Sequence, residues 1–202
     1  MTHSKRSISI LIAIATLILS LALPVAAGAQ TETTLYVNPA TSSATTCPSS
    51  AITVAIRVGN VVNLTAFHLE IYFDPAVIQV NSIVPAAFII GPGETYLPEP
   101  SNEIDNVNGF ISWGLAKQGT GGDPNPVSGT GDLILITLHA IVPNDSSPID
   151  IDAANSILVN WPDAFEIPFT ATDGVVNTSS CPPTDIALSN NTIQENMPIG
   201  TT

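Results

Sequence analysis

Phe67-His68-Leu69-Glu70-Ile71-Tyr72-Phe73-Asp74-Pro75-Ala76-Val77-Ile78-Gln79-Val80 changes character once, at Asp74-Pro75. Before that point Phe67, Leu69, Ile71 and Phe73 alternate with His68, Glu70 and Tyr72. A period of two puts the first set on one face of a strand and the second on the other, as in an antiparallel strand with one face in a core. Asp74 can accept hydrogen bonds from nearby backbone amides, and Pro75 fixes φ, so the pair reads as a turn. Val77, Ile78 and Val80 then begin a new apolar run.

The same pattern extends in both directions. Leu35 to Val37 and Ile52 to Val58 precede the stretch, the latter with Val54, Ile56 and Val58 on one face. After it come Val77 to Val84, a short run at Ala87 to Ile90, then Val107 to Leu115 and Leu133 to Val142. Shorter runs follow at Ile149 to Ile151, Ile157 to Val159, Ile167 to Ala171 and Gly174 to Asn177. Gly91 to Asn106 and Gly119 to Gly131 are rich in Gly, Pro and polar residues and read as loops. No window past the N-terminus carries a helical period. About nine short strands at this spacing predict an all-β, two-sheet sandwich.

The first 29 residues are excluded from that fold. Lys5 and Arg6 precede an apolar run from Ile8 to Leu23, and Ala27-Gly28-Ala29 has the small-x-small form of a cleavage site before Gln30. Together they read as a secretory signal peptide cut near Ala29-Gln30. An uncleaved anchor is the alternative, because the run approaches the ~18–20 residues that span a bilayer. No later segment is apolar enough to cross a membrane.

Past residue 29 only Arg57 and Lys117 are basic, and they face seventeen acids, a balance of −15. Such a chain repels nucleic acid and gains nothing from anionic lipid. Cys47 and Cys181 are the only cysteines. In an exported chain they suggest one disulfide, with free thiols or an intermolecular link as alternatives.

The quoted stretch resembles the cohesin signature, in which an alternating strand ends in an aromatic-Asp-Pro turn. Gly109-Phe110-Ile111-Ser112-Trp113-Gly114-Leu115-Ala116 is similar to the strand before the family's long loop. Gly131-Asp132-Leu133-Ile134-Leu135-Ile136-Thr137-Leu138 is similar to the strand after it. Glu166 to Val176 is similar to the closing hairpin. The ordered set covers roughly residues 33 to 178. It implies a nine-stranded jelly-roll β-sandwich, related in fold to carbohydrate-binding modules, over residues 30–181. It also implies a dockerin-type protein partner, calcium-loaded and borne on secreted enzymes, and a non-catalytic extracellular or cell-surface role. The family contacts its partner through the sheet face that includes the strand before the Asp-Pro turn. Here the outward residues of that strand are Ala66, His68, Glu70 and Tyr72.

After Cys181-Pro182-Pro183 the chain becomes polar. Pro183 to Thr201 resembles the opening of a bacterial cadherin-like repeat, so residues 182–202 are expected to be a linker and the truncated start of such a repeat. The resemblance implies that Glu195 would be a calcium ligand if the repeat were complete; a site of about 6–8 oxygens needs the rest of it. No cofactor is expected in the sandwich itself, and calcium would enter with the partner or a downstream repeat.

No catalytic constellation emerges. His68 and His139 lie at outward strand positions outside any metal-ligand pattern and read as ordinary surface residues. Ser112 lacks the glycines of a nucleophile elbow. Asp150 and Asp152 share a strand face, but paired-carboxylate glycoside hydrolysis requires one raised pKa in an apolar cleft. The chain is therefore expected not to be an enzyme. Polysaccharide binding, or a structural adhesive role, is the alternative. Trp113, Trp161, Tyr36, Tyr72 and Tyr96 make a thin aromatic platform for it, with Tyr72 and Trp113 as the first candidates.

Overall fold

A computed structural model describes residues 31–46, 51–119 and 123–180. Cys47, Cys181, Glu195, the expected signal peptide and the segment 182–202 lie outside the described residues. No helix among the described residues is long and apolar enough to cross a membrane.

The described chain is all β. Its strands are β1 (Thr34–Asn38), β2 (Thr41–Thr45), β3 (Ile52–Phe73), β4 (Ile78–Pro85), β5 (Thr95–Pro98) and β6 (Glu103–Asp105). They continue with β7 (Phe110–Gln118), β8 (Val127–Ala140), β9 (Ser146–Ile151), β10 (Ile157–Asn160), β11 (Thr170–Thr172) and β12 (Gly174–Ser179). The fold is a jelly-roll β-sandwich, as expected, with twelve strands rather than nine.

The difference in count has local causes. The two runs read separately at Ile52 to Val58 and Phe67 to Phe73 are one 22-residue strand. It bends in the middle, where Asn60 and Asn63 adopt φ of 55° and 54°. Asparagine tolerates that left-handed conformation better than most side chains. β8 fills the gaps in the ladder: Asn60 N donates to Thr130 Oγ1 at 3.1 Å and Asn63 N to Ser128 Oγ at 2.9 Å. The bend lets β3 serve both layers. Its first half pairs with β1 and β8, and β8 pairs in turn with β4. Its second half pairs with β7 on one side and with β10 and β9 on the other.

Three sequence expectations are corrected. Ala87 to Ile90 is a turn rather than a strand, with Ile89 N and Ile90 N both donating to Ala86 O. The stretch 91–106, read as a loop, carries the edge strands β5 and β6. β2, a Thr/Ser segment without an apolar pattern, pairs in parallel with β12. Edge strands with one neighbour bury little side-chain area, so their sequences carry little periodicity.

The apolar alternation works as read. Phe67, Leu69, Ile71 and Phe73 are all buried and join Ile56, Ile111, Leu115, Ile134, Ile136 and Leu138 in one core. Each such side chain contributes about 1.5–3 kcal/mol of burial free energy. The Asp74-Pro75 turn also behaves as read: Asp74 Oδ1 accepts from Ala76 N at 2.9 Å, and Asp74 O accepts from Val77 N and Ile78 N. Gly109, at φ 73°, packs against this turn, where a Cβ would strike Phe73 O and the ring of Pro75.

Candidate functional site

The second half of β3 turns Ala66, His68, Glu70 and Tyr72 away from the core. Strand register extends each of these residues into a row across neighbouring strands. Ala66 lies between Val159 of β10 and Ala116 of β7, with Leu97 of β5 beyond. His68 lies between Ile157 and Gly114. Glu70 is followed by Ser112 and Glu103, and Tyr72 sits between Asp150 and Phe110, with Asp105 beyond.

The first two rows form an apolar groove of about 400 Å³, lined by Ala66, Leu97, Pro98, Pro100, Ala116, Ile157 and Val159, with His68 and Glu99 at its edge. Leu97 is 55% exposed and Ile157 37%. The fourth row places the rings of Tyr72 and Phe110 5.1 Å apart, with Tyr72 exposed.

The polar edge of the groove is built on Gly114. Asn102 binds both backbone groups of that residue: Gly114 N donates to Asn102 Oδ1 at 2.7 Å, and Asn102 Nδ2 donates to Gly114 O at 3.0 Å. Glu99 N also donates to Gly114 O. The 99–102 segment thus arches between β5 and β6 and lowers the Glu99 carboxylate onto His68, Oε2 to Nδ1 2.6 Å. Glu70 Oε1 lies 3.7 Å from the other ring nitrogen. A Cβ at position 114 would collide with the Glu99 carboxylate and with Phe67 O. Gly114→Ala is therefore expected to destabilise the fold by roughly 1–3 kcal/mol, as overpacking does. The check is a denaturant melt paired with NMR shifts of His68, which should move as Glu99 is displaced.

The structure revises several sequence readings here. His68 is a half-buried residue hydrogen-bonded to Glu99, not an ordinary surface histidine. His139, on β8, bonds Asn81 Oδ1 at 2.7 Å. Trp113 is not a surface platform: it is 8% exposed and stacks on Phe67 inside the core, ring centroids 6.0 Å apart. It shares strand parity with the buried Ile111 and Leu115, so alternation along Gly109 to Ala116 could have placed it there. Ser112 is buried between the Glu70 and Glu103 positions. Asp152 has left the strand for a turn, where hydrogen bonds from Asn155 and the Ala154 amide hold its carboxyl below the usual range. That is the opposite of what a general acid needs. Leu97, Glu99, Asn102 and Ile157 escaped the sequence reading. For Leu97 and Glu99 the only signal was their place among the prolines of Leu97-Pro98-Glu99-Pro100, and Ile157 was read only as the start of a short strand. Among the described residues no cluster of three or more His, Cys, Asp or Glu side chains could hold a metal ion.

No family model matches the chain, and no curated protein does. Solved structures do. A non-cellulosomal cohesin from the hyperthermophilic archaeon Archaeoglobus fulgidus is similar at TM-score 0.55 and 13% identity, over 74% of this chain and 93% of that one. The third cohesin of ScaC from Acetivibrio cellulolyticus, solved with the ScaB dockerin in a type I interaction, is similar at TM-score 0.57 and 18% identity, over 73% and 99%. The seventh ScaB type I cohesin from Pseudobacteroides cellulosolvens is similar at TM-score 0.56 and 15% identity, over 76% and 96%. The chain has the cohesin fold.

Proposed function

We propose that this chain is a secreted, non-catalytic protein–protein interaction module that takes a dockerin-type partner on the face built by β10, β3, β7 and β5. The observation that carries the reading is the apolar groove on that face, with Leu97 and Ile157 held open to solvent. Exposed apolar patches on a folded domain mark interaction sites when contiguous and rimmed by polar groups. Support comes from neighbours of the same fold, several of them solved with dockerins. In this reading export relies on the N-terminal signal, and calcium enters with the partner.

Binding of calcium-loaded dockerins, measured by calorimetry, tests it. Leu97→Asp and Ile157→Asp are each expected to weaken a dockerin by about 30-fold or more, the loss of a central contact worth ~2 kcal/mol. Val84→Asp, at an exposed position on β4 in the other layer, is expected to leave it unchanged. Equal losses in all three variants, or no dockerin bound at all, would remove the proposal.

One observation favours polysaccharide as a second reading: the exposed ring of Tyr72 beside the half-buried ring of Phe110. Depletion by insoluble cellulose and chitin, lost in Tyr72→Ala with the fold intact, would establish it.

A further inference from the structure

We propose that the partner surface seated on this face is cationic, an apolar stripe edged by lysines or arginines. This rests on the docking reading above and specifies the chemistry of what docks. Four carboxylates stand in the rows beside the groove, Glu70, Glu103, Asp105 and Asp150, and a fifth, Glu99, stands at its edge. Glu70 and Glu103 flank Ser112 on the same face, about 10 Å apart at two strand spacings.

Neither lysine nor arginine of the described chain serves this face. Arg57 is committed to Asp132 through two bonds of 2.6 and 3.2 Å, on the part of β3 that pairs with β8. Lys117 is buried against Glu94 and Ile89 O. No lysine or arginine lies in the four rows. The β8 face of the other layer differs: its Arg57–Asp132 pair is balanced, and its outward neighbours Thr53, Thr137, Ser82 and Gln79 are uncharged.

The acids are thus gathered beside the groove and left without internal cations. Like charges at this spacing repel in the free module, and an approaching cation relieves that repulsion. Complementary charge of this kind speeds association, suppresses wrong partners and makes binding depend on salt. It also argues against other occupants. A second copy would set acid against acid across the same face, in a chain already at −15, with two cations against seventeen acids past residue 29. An anionic bilayer is repelled likewise.

Two probes test the proposal on the intact protein. One is a panel of calcium-loaded dockerins. The other is a pair of amphipathic helical peptides with the same leucine and alanine stripe, edged by lysine in one and by glutamate in the other. Binding is read by calorimetry for the dockerins and by fluorescence anisotropy for the peptides. The variants are Glu70→Gln/Glu103→Gln and a control of equal charge change, Glu32→Gln/Asp145→Asn, remote from the rows.

The lysine-edged peptide is expected to bind and to be displaced from Leu97→Asp, and the glutamate-edged peptide is expected not to bind. The face variant should weaken the lysine peptide and any bound dockerin by about tenfold at low salt, and the control much less. Raising salt to 1 M, where the screening length falls to about 3 Å, should erase the difference. A dockerin that needs Leu97 but ignores salt and the Glu70/Glu103 variant would overturn this inference and leave the docking reading standing. A lysine peptide that binds through Leu97 while no dockerin does would overturn the dockerin assignment and keep this one. Equal loss in the face and control variants would overturn it as nonspecific attraction to an acidic protein.

Discussion

Replacing Cys47 and Cys181 by serine is expected to lower the unfolding free energy of the oxidised protein by up to about 5 kcal/mol, the chain-entropy value for closing a loop of this length. The two residues lie outside the described part of the chain. β2 and β12 run parallel, and from Thr41↔Val175 to Thr45↔Ser179 each pair is offset by 134 positions. Cys47 and Cys181 are also 134 positions apart. Thr46 N still donates to Ser179 O at 3.0 Å, one step past the last pair. The two cysteines thus share the sequence offset of this ladder, and neighbouring strands in a sheet run about 4.8 Å apart. Disulfides span Cα separations of about 4.4–6.8 Å, a range that includes the strand spacing of a sheet. Such a bond would tie the ends of the described strands β2 and β12 together. Thiol labelling of the denatured, unreduced protein, with peptide mapping, is the first check. The second is the urea midpoint with and without reductant. Two free thiols in protein folded under oxidising conditions would refute the bond.

Lys117→Met is expected to cost about 3 kcal/mol, because removing one member of a buried pair strands the other. The Lys117 side chain is 1% exposed, and its Nζ donates to Ile89 O at 2.6 Å and to Glu94 Oε2 at 2.7 Å. Glu94 also accepts from Gly91 N at 2.8 Å and from the Asn125 side-chain amide. One ammonium therefore pins the turn before β5 to β7, and through Glu94 to the segment before β8. β5 carries Leu97, so the same loss should blunt binding at the groove. The bond from Lys117, followed by that from Gly91, draws the Glu94 carboxyl down from 4.5 to about 2. A depressed carboxylate stabilises the fold above its unfolded pKa, and that contribution is lost as pH falls through the folded one. The gap between wild type and Lys117→Met should therefore be full near neutrality and close as pH drops from about 4.5 toward 2. Urea melts across that range decide it. A gap that does not change with pH would mean that Lys117 acts through packing alone.

The sequence alone determined those features that depend on a residue's own position in a strand. Alternation put Phe67, Leu69, Ile71 and Phe73 inside and Ala66, His68, Glu70 and Tyr72 outside, because a period of two permits no other division. The Asp74-Pro75 turn was legible because its bonds reach only to Ala76, Val77 and Ile78. The acid excess was legible because it is a sum. Tertiary structure alone decided what stands beside these residues. The groove joins Ala66 to Leu97 and Ala116 across β7, and to Val159 across β10, neighbours that no local pattern links. His68 meets Glu99 from 31 positions away, over a glycine whose missing Cβ makes the room. Lys117 faces the core of a chain with only two basic residues past residue 29, and is tolerable there because Glu94, 23 positions earlier, reaches it. The short strands β2, β5 and β6 exist because a longer neighbour offers free amides and carbonyls at its edge. Backbone pairing leaves little imprint on side chains, so their sequences had no periodicity to read.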